Sequence, residues 1–542
     1  MLLKSWKPVG LGVFLVCGLG ASELYAQQAA GVPDAGDILR FTLPEQTLSP
    51  KSGDGALELE GAPLEGVEEG GSRVKLNDVV FSGNSVFTDE QLMAEVANRL
   101  GSEQDLAGLR ELANHISRFY RARGYPFATA ILPRQNMSDG VLEVRIFEGR
   151  YGQVKTSGED EVLVESVQPF LRALKPGDVI NSASLERTTL LVADLPGLQT
   201  DPVMRPGDGQ GEGDLDVAVK PGDRVQGRVG LDNYGGRSSG EVRFNGQTQV
   251  HRLVIPGDQL GLNFIYSEED LWLGRAAYSM PLGYSGMRGE MAFARTEYDL
   301  RDPFDDFTGT ADTASAEVSY PLVRSQQSNL TASVGFQYKS LDDRLEGLSY
   351  QERDSRAVPV ALQFDHRDSF GGGGVTYGET RLTAGDVSNS APGSREGRFV
   401  HVHANVARLQ SITDRLSVQG NVQAQWADGL LDSSERRSLG GAGGVRAYPQ
   451  GELSGSEVWM ARLELRYRLT ATVKPYLFYD HGERLPNTDE PKDRLAGGGL
   501  GLRYSAHGWQ FDGALAFQTA GEAASGDEQR DPRAWASLGY RF

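Results

Sequence analysis

From about residue 224 to the C-terminus, apolar and polar positions alternate with a period of two, the pattern of strands that present one face to an apolar medium. Val242, Phe244, Gly246, Thr248 and Val250 fall on one side, and Glu241, Arg243, Asn245, Gln247 and Gln249 on the other. Leu330, Ala332, Val334, Phe336 and Tyr338 oppose Thr331, Ser333, Gln337 and Lys339. In the sharpest run, Trp459, Ala461, Leu463, Leu465, Tyr467 and Leu469 stand against Arg462, Glu464, Arg466 and Arg468. Inverting that strand would put four charges into lipid at roughly 2 to 4 kcal/mol for each mid-membrane Arg, so its register is fixed. The chain ends on an aromatic, Phe542, with Ala534, Ala536, Leu538 and Tyr540 on the same face. Arg533, Ser537, Gly539 and Arg541 take the other face, where Trp535 is the one exception. About 16 such runs predict a transmembrane β-barrel over residues 223–542, in the outer membrane of a diderm bacterium. An even strand number leaves both barrel ends in the periplasm and puts the longest connection, 428–455, outside, after the eleventh strand.

Upstream the period changes. An alternating run from Val74 to Phe81 is followed by a helix opening near Thr88 and a second helix, Gln104 to Arg123, with Leu106, Leu109, Leu112, Ile116 and Phe119 at helical spacing. Strands are predicted over Phe127 to Leu132 and Val141 to Phe147. Residues 150–222 repeat this β-α-α-β-β order, with helices around 161–173 and 184–195 and strands near 199–205 and 214–220. Two small α+β modules, 73–149 and 150–222, therefore precede a mainly β, 16-stranded barrel. Before them, residues 27–72 read as a short helix, Asp34 to Leu43, and a polar linker. Lys4, Lys7 and the apolar run Val9 to Leu19 read as a signal peptide, residues 1–26, ending at Ala26.

Composition narrows the class of membrane protein. The hydrophobic fraction is 39% and the mean hydropathy −0.38, and no later stretch approaches 18 apolar residues. Helical spans are excluded, and a closed barrel is the remaining way to pair every backbone group in lipid. The net charge of −20 argues against nucleic acid as a partner. Cys17, the only cysteine, lies in the signal segment, which leaves no disulfide framework and no Cys-based metal site after cleavage.

The long connection reads Ser438-Leu-Gly-Gly-Ala-Gly-Gly-Val445-Arg446-Ala447-Tyr448-Pro-Gln-Gly-Glu452. With the tandem modules and the barrel, it resembles the TpsB transporters of two-partner secretion, relatives of the barrel-assembly insertases. Further motifs in the same order carry the resemblance: Gly124-Tyr125-Pro126, Glu148-Gly149-Arg150-Tyr151, and Leu231-Asp232-Asn233-Tyr234-Gly235 at the start of the barrel. The resemblance implies that the modules are POTRA domains and that the connection is a loop folded back into the lumen. The family motif V-R-G-Y is matched by Val445, Arg446, Ala447 and Tyr448, with alanine in place of glycine. Alanine would be strained there if the loop turned through positive φ. The implied partner of Arg446 is Asp480 on the inner wall, in Phe478-Tyr479-Asp480-His481-Gly482. Alternation independently turns Phe478 and Asp480 inward.

The resemblance implies a pore that captures an unfolded TpsA-type exoprotein in the periplasm and passes it to the cell surface, from a monomeric barrel set in outer-membrane lipid. Phe119, Tyr120, Phe127, Thr129 and Ile131 are expected to form the capture groove of the first module. The segment after the signal peptide is expected to plug the lumen. Two other classes compete: a barrel-assembly insertase, and a passive porin, which leaves residues 73–222 unexplained. No constellation sets a nucleophile beside a base, so no enzymatic activity and no cofactor are expected. His401 and His403 share a strand face with metal-like spacing but bring no third ligand, so no metal is expected. Gly371 to Gly374 match no phosphate loop.

Overall fold

The computed structural model describes residues 32–42, 49–51, 68–301, 303–389, 396–487, 490–521 and 530–542. The expected signal peptide and most of the expected linker lie outside the described residues. Among those described, no helix is long and apolar enough to cross a membrane.

In the first module, Thr88 opens the Asp89–Val96 helix through a reciprocal capping box with Gln91, and Asp105 caps Leu106–Ala122 by accepting from Gly108 N. The sheet is ordered Asp78–Ser82, Val141–Phe147, Thr129–Ile131, the first pair parallel and the second antiparallel. Val79, Phe81, Leu142, Val144 and Ile146 on one sheet face meet Leu112, Ile116 and Tyr120 of the long helix in one core. The second module repeats the layout, with Arg150–Ser157 parallel to Glu212–Pro221 and Leu198–Pro206 antiparallel to it. Its first helix is α-helical only over Glu161–Val167, and the chain tightens to a 3₁₀ turn at Gln168, ahead of Pro169, which cannot donate to a continuing helix.

Sixteen antiparallel strands close the barrel, from Val225–Asp232 to Arg533–Arg541, which pair with each other. Phe244, Val334, Phe336, Leu463, Leu465 and Tyr467 lie on the exposed outer surface, as alternation requires. The strands differ in length. The sixth to eighth, Phe307–Arg324, Ser328–Leu345 and Leu348–Asp368, run for 18, 18 and 21 residues, whereas the first and last have 8 and 9. A tilted strand needs about 9 to 11 residues to cross a membrane, so the long hairpins stand well above it.

The second module is docked against the periplasmic turns of the barrel. Asp194 accepts from Nε and Nη2 of Arg324, both at 2.8 Å, Arg187 donates to the Pro321 carbonyl at 2.7 Å, and the Phe170 and Tyr284 rings meet edge to face. At the same rim Lys51 donates its backbone N–H to Asp365 at 3.2 Å and places its ammonium 3.6 Å from Asp194.

Inside the barrel lies the helix expected near residues 34–43, observed as Ala35–Thr42. Ala35, Ile38 and Leu39 are buried against Tyr298, Leu300, Ala311 and Leu341. The Ala35 N–H donates to Asp343 at 2.7 Å. Arg353 joins three carboxylates, Asp34 at 3.0 Å, Asp343 at 2.8 Å and Asp432 at 2.8 Å.

Candidate translocation site: the inward loop and its seat

The connection between the eleventh and twelfth strands, Leu416–Ala427 and Val458–Tyr467, folds into the lumen. It narrows through a short ladder, Arg437 and Ser438 opposite Gly455 and Ser454, to a tight tip in which Val445 N donates to the Leu439 carbonyl at 2.7 Å. Glycine is required in that tip: a Cβ on Gly444 would stand 2.1 Å from the Leu439 carbonyl oxygen. The turn presents Arg446, only 4% exposed, to the wall.

Arg446 meets Asp480 through a two-pronged fork, Nε to Oδ2 and Nη2 to Oδ1, both 2.7 Å, and its backbone N–H adds a third bond at 3.2 Å. The remaining prong, Nη1, reaches Glu464 at 2.7 Å. The guanidinium lies 3.6 Å from the centre of the Phe478 ring, a cation–π contact out of water. On the far side, the Trp535 indole N–H donates to the Arg446 carbonyl at 2.7 Å. Glu464 is held in turn by Arg503 and Arg466, and Arg503 passes on to Asp512. Buried charge in this seat is thus paired and hydrogen-bonded throughout, the condition under which it is tolerated.

The other motif residues are also placed. Val445 is buried, with Gly482 opposite: a Cβ added there would stand 3.3 Å from the Val445 side chain. Tyr448 is fully buried and donates its hydroxyl to the Ala520 carbonyl at 2.7 Å. Ala447 is absent from the residues at positive φ, so the strain expected of an alanine does not arise. Its methyl instead faces Gly497, where a Cβ would come within 2.3 Å of it.

Several members of this site are not singled out by the sequence, Arg503 and Asp512 among them. Glu464 was visible only as one of four inward charges on its strand. Trp535 is the one aromatic on the polar face of its strand, and that break in alternation is the signal that finds it.

The groove expected in the first module needs correction. Phe119 and Tyr120 are 8% and 0% exposed, inside the core, with Phe87 packed on both rings. The helical spacing that makes Phe119 part of an apolar stripe also turns it away from any ligand. Tyr120 donates its hydroxyl to Glu148 at 3.2 Å. Burial pushes the Glu148 carboxyl up, but bonds from Ser85, Val86 and Tyr120 outweigh it and hold the group below its ordinary range. Phe127 packs into the second module's core, at the junction. The strand expected over Phe127 to Leu132 is confined to Thr129–Ile131, which has a ladder neighbour on one side only. Thr129 and Ile131 therefore stand on an open sheet edge.

His401 faces Glu435 at 3.3 Å, and Lys339 already occupies the other Glu435 oxygen at 2.7 Å. Among the described residues no three His, Cys, Asp or Glu side chains converge as metal ligands would. The glycines after Phe370 form a turn whose carbonyls, with that of Phe370, are gathered by the Gln410 amide.

Residues 211–504 match the family model described as haemolysin secretion/activation protein ShlB/FhaC/HecB. The chain belongs to that family. Residues 74–149 match a POTRA domain of ShlB type. Curated relatives include the heme/hemopexin transporter protein HuxB of Haemophilus influenzae, 26% identical over 84% of each chain. The outer membrane transporter CdiB of Dickeya dadantii is 24% identical over 72% of each. The fold is that of CdiB from Escherichia coli, with a TM-score of 0.75 and 21% identity over 96% of this chain and 97% of that one. The chain is accordingly an outer-membrane transporter of two-partner secretion, with its POTRA modules in the periplasm. This family membership favours secretion over the insertase reading.

Proposed function

We propose that this barrel is the conduit for an unfolded TpsA-type exoprotein, captured in the periplasm along the Thr129–Ile131 edge and passed outward once the inward loop and the lumen helix give way. The observation that supports this reading is the seat of Arg446: an inward-folded loop of the protein is held in the lumen by one cation against two wall carboxylates. An extended chain can add to an open strand edge through main-chain bonds that make little demand on its sequence. The barrel is closed by its own first and last strands, so a single chain in outer-membrane lipid completes the pore. No nucleotide motif occurs in the sequence, and folding of the product outside makes retreat unfavourable.

The test is secretion of the partner exoprotein by cells carrying Arg446→Ala or Thr129→Pro, with heat-modifiable migration as the check on barrel assembly. Both variants should assemble and secrete poorly, Arg446→Ala because the loop loses its seat. Proline at 129 removes a backbone donor and distorts the edge. Full secretion by Arg446→Ala would refute the reading of Arg446 and Asp480 as the latch that holds the loop inward, and full secretion by Thr129→Pro would move capture elsewhere, to the second module's Leu198–Pro206 edge first.

A further inference from the structure

One connection of the barrel is apolar where it meets solvent, and neither the latch nor the capture edge uses it. It joins the second strand, Arg243–His251, to the third, Gln259–Ser267. The first strand starts from the second module and the second strand returns toward it, so this turn lies at the periplasmic face of the membrane. Its tip reads Leu253-Val254-Ile255, with side chains 46%, 74% and 37% exposed. Among the described residues no other stretch exposes three large apolar side chains in succession.

The donors of that tip are satisfied without water. Asp258, itself fully buried, accepts from Leu253 N at 2.7 Å, Val254 N at 2.8 Å and Ile255 N at 2.9 Å, and from the Tyr278 hydroxyl at 2.7 Å. In an aqueous turn such N–H groups can be left to solvent, whereas in lipid each needs a partner within the protein. One carboxylate serves all three, so the tip can leave water without stranding a donor.

Tyr278 places this arrangement on the outer side of the wall. It belongs to the fourth strand, Trp272–Pro281, and shares its lipid-facing side with Ala276 and Met280, both exposed. Val225, opposite Val250 at the foot of the second strand, is exposed as well. An exposed apolar patch marks an interaction site, and this one is continuous with the surface that lipid already covers. The base of the turn is docked on the second module: a Cβ on Gly257 would stand 2.9 Å from the Leu195 side chain, and Arg252 donates to the Gly222 carbonyl at 3.1 Å. Arg288, on the fifth strand, donates to the Gly257 carbonyl at 3.1 Å and ties that base to the barrel.

We propose that this turn is a lipid anchor: Leu253, Val254 and Ile255 insert among the phospholipid acyl chains of the periplasmic leaflet, and the base of the turn holds the second module at a fixed height beneath them. The inference is independent of the latch reading of Arg446.

The test uses the full chain in a Cys17→Ser background, with one nitroxide on Val254→Cys, reconstituted in vesicles of phosphatidylethanolamine and phosphatidylglycerol. Collision of the label with oxygen, which concentrates in lipid, is compared with collision with a water-soluble nickel chelate. Leu463→Cys, on the exposed outer surface of its strand, is the lipid reference, and Ser138→Cys, on an exposed turn of the first module, the aqueous one. The label at 254 should favour oxygen as the one at 463 does, from a depth of about 5 to 10 Å into the headgroup and acyl boundary, where interfacial apolar faces settle. Nickel access at 254 equal to that at 138 would overturn the anchor and leave the patch to a protein partner. A second measurement addresses the module. Leu253→Ser, Val254→Ser and Ile255→Ser together should leave heat-modifiable migration unchanged and broaden the distances measured between nitroxides on Val162→Cys, exposed on the second module, and Leu463→Cys. A distribution as narrow as the parent's would overturn the hold on the module.

Discussion

Two segments of this protein occupy its own lumen, and they are held in opposite ways. The loop brings the cation: Arg446 belongs to the moving piece, and the carboxylates of Asp480 and Glu464 stay on the wall. At the lumen helix the cation, Arg353, belongs to the wall, and the moving piece meets it with the Asp34 carboxylate. If the loop leaves, Asp480, which is fully buried, keeps one distant partner, Arg462 at 3.9 Å. If the helix alone leaves, Arg353 retains Asp343 on the wall and Asp432 at the root of the loop connection, both at 2.8 Å. A seat that would strand a buried charge is built for retention, and one whose wall charges remain paired is built for departure.

That asymmetry gives an order of effects. Asp480→Ala strips both oxygens from the Arg446 fork and should cost the seated loop about 3 to 5 kcal/mol, because a buried guanidinium is left half paired. In a double-mutant cycle read by labelling at the loop tip, Arg446→Ala with Asp480→Ala should therefore be less damaging than the sum of the singles. Additivity there would return both groups to ordinary lumen charges. Arg446→Lys comes next. The charge survives, but a lysine cannot meet Asp480 with two prongs and Glu464 with a third, so secretion should recover only in part.

Removal of residues 27–45 should raise single-channel conductance in planar bilayers without touching barrel assembly, since the deleted helix fills lumen space but carries no wall strand. Conductance equal to that of the parent chain would show that the helix does not restrict the pore in the membrane. The smallest effect belongs to Asp34→Ala. It removes one of three carboxylates from Arg353, at a cost of about 1 kcal/mol or less for a partly exposed pair, and should show as roughly fivefold more frequent openings. A loss as large as that of Asp480→Ala would break the contrast between the two seats.

Alternation made the barrel legible, down to the inward direction of Phe478 and Asp480, because lipid on one side and water on the other leave a strand one workable register. The helix caps were legible as well, in Thr88 and Asp105. What alternation does not carry is which inward charge meets which. Glu464 joins Arg446 only because the connection that leads into its own strand first folds back into the lumen, and alternation within the strand does not specify that. Phe119 and Tyr120 failed for a different reason: the helical stripe had already committed Phe119 to the core, and one side chain cannot serve both a core and a groove. Trp535 lay in plain view as a break in the pattern, with no local feature to say what it was for.

The unequal strand lengths have a consequence for whatever comes through. The hairpins of the sixth to eighth strands rise on one side, and the two short strands at the seam lie across from them. The mouth is thus cut on a slant, like the bevel of a needle. A polypeptide leaving it is screened along one flank and reaches open solvent first over the low lip, so the product's earliest structure would form on the side where Asn233 and Trp535 sit.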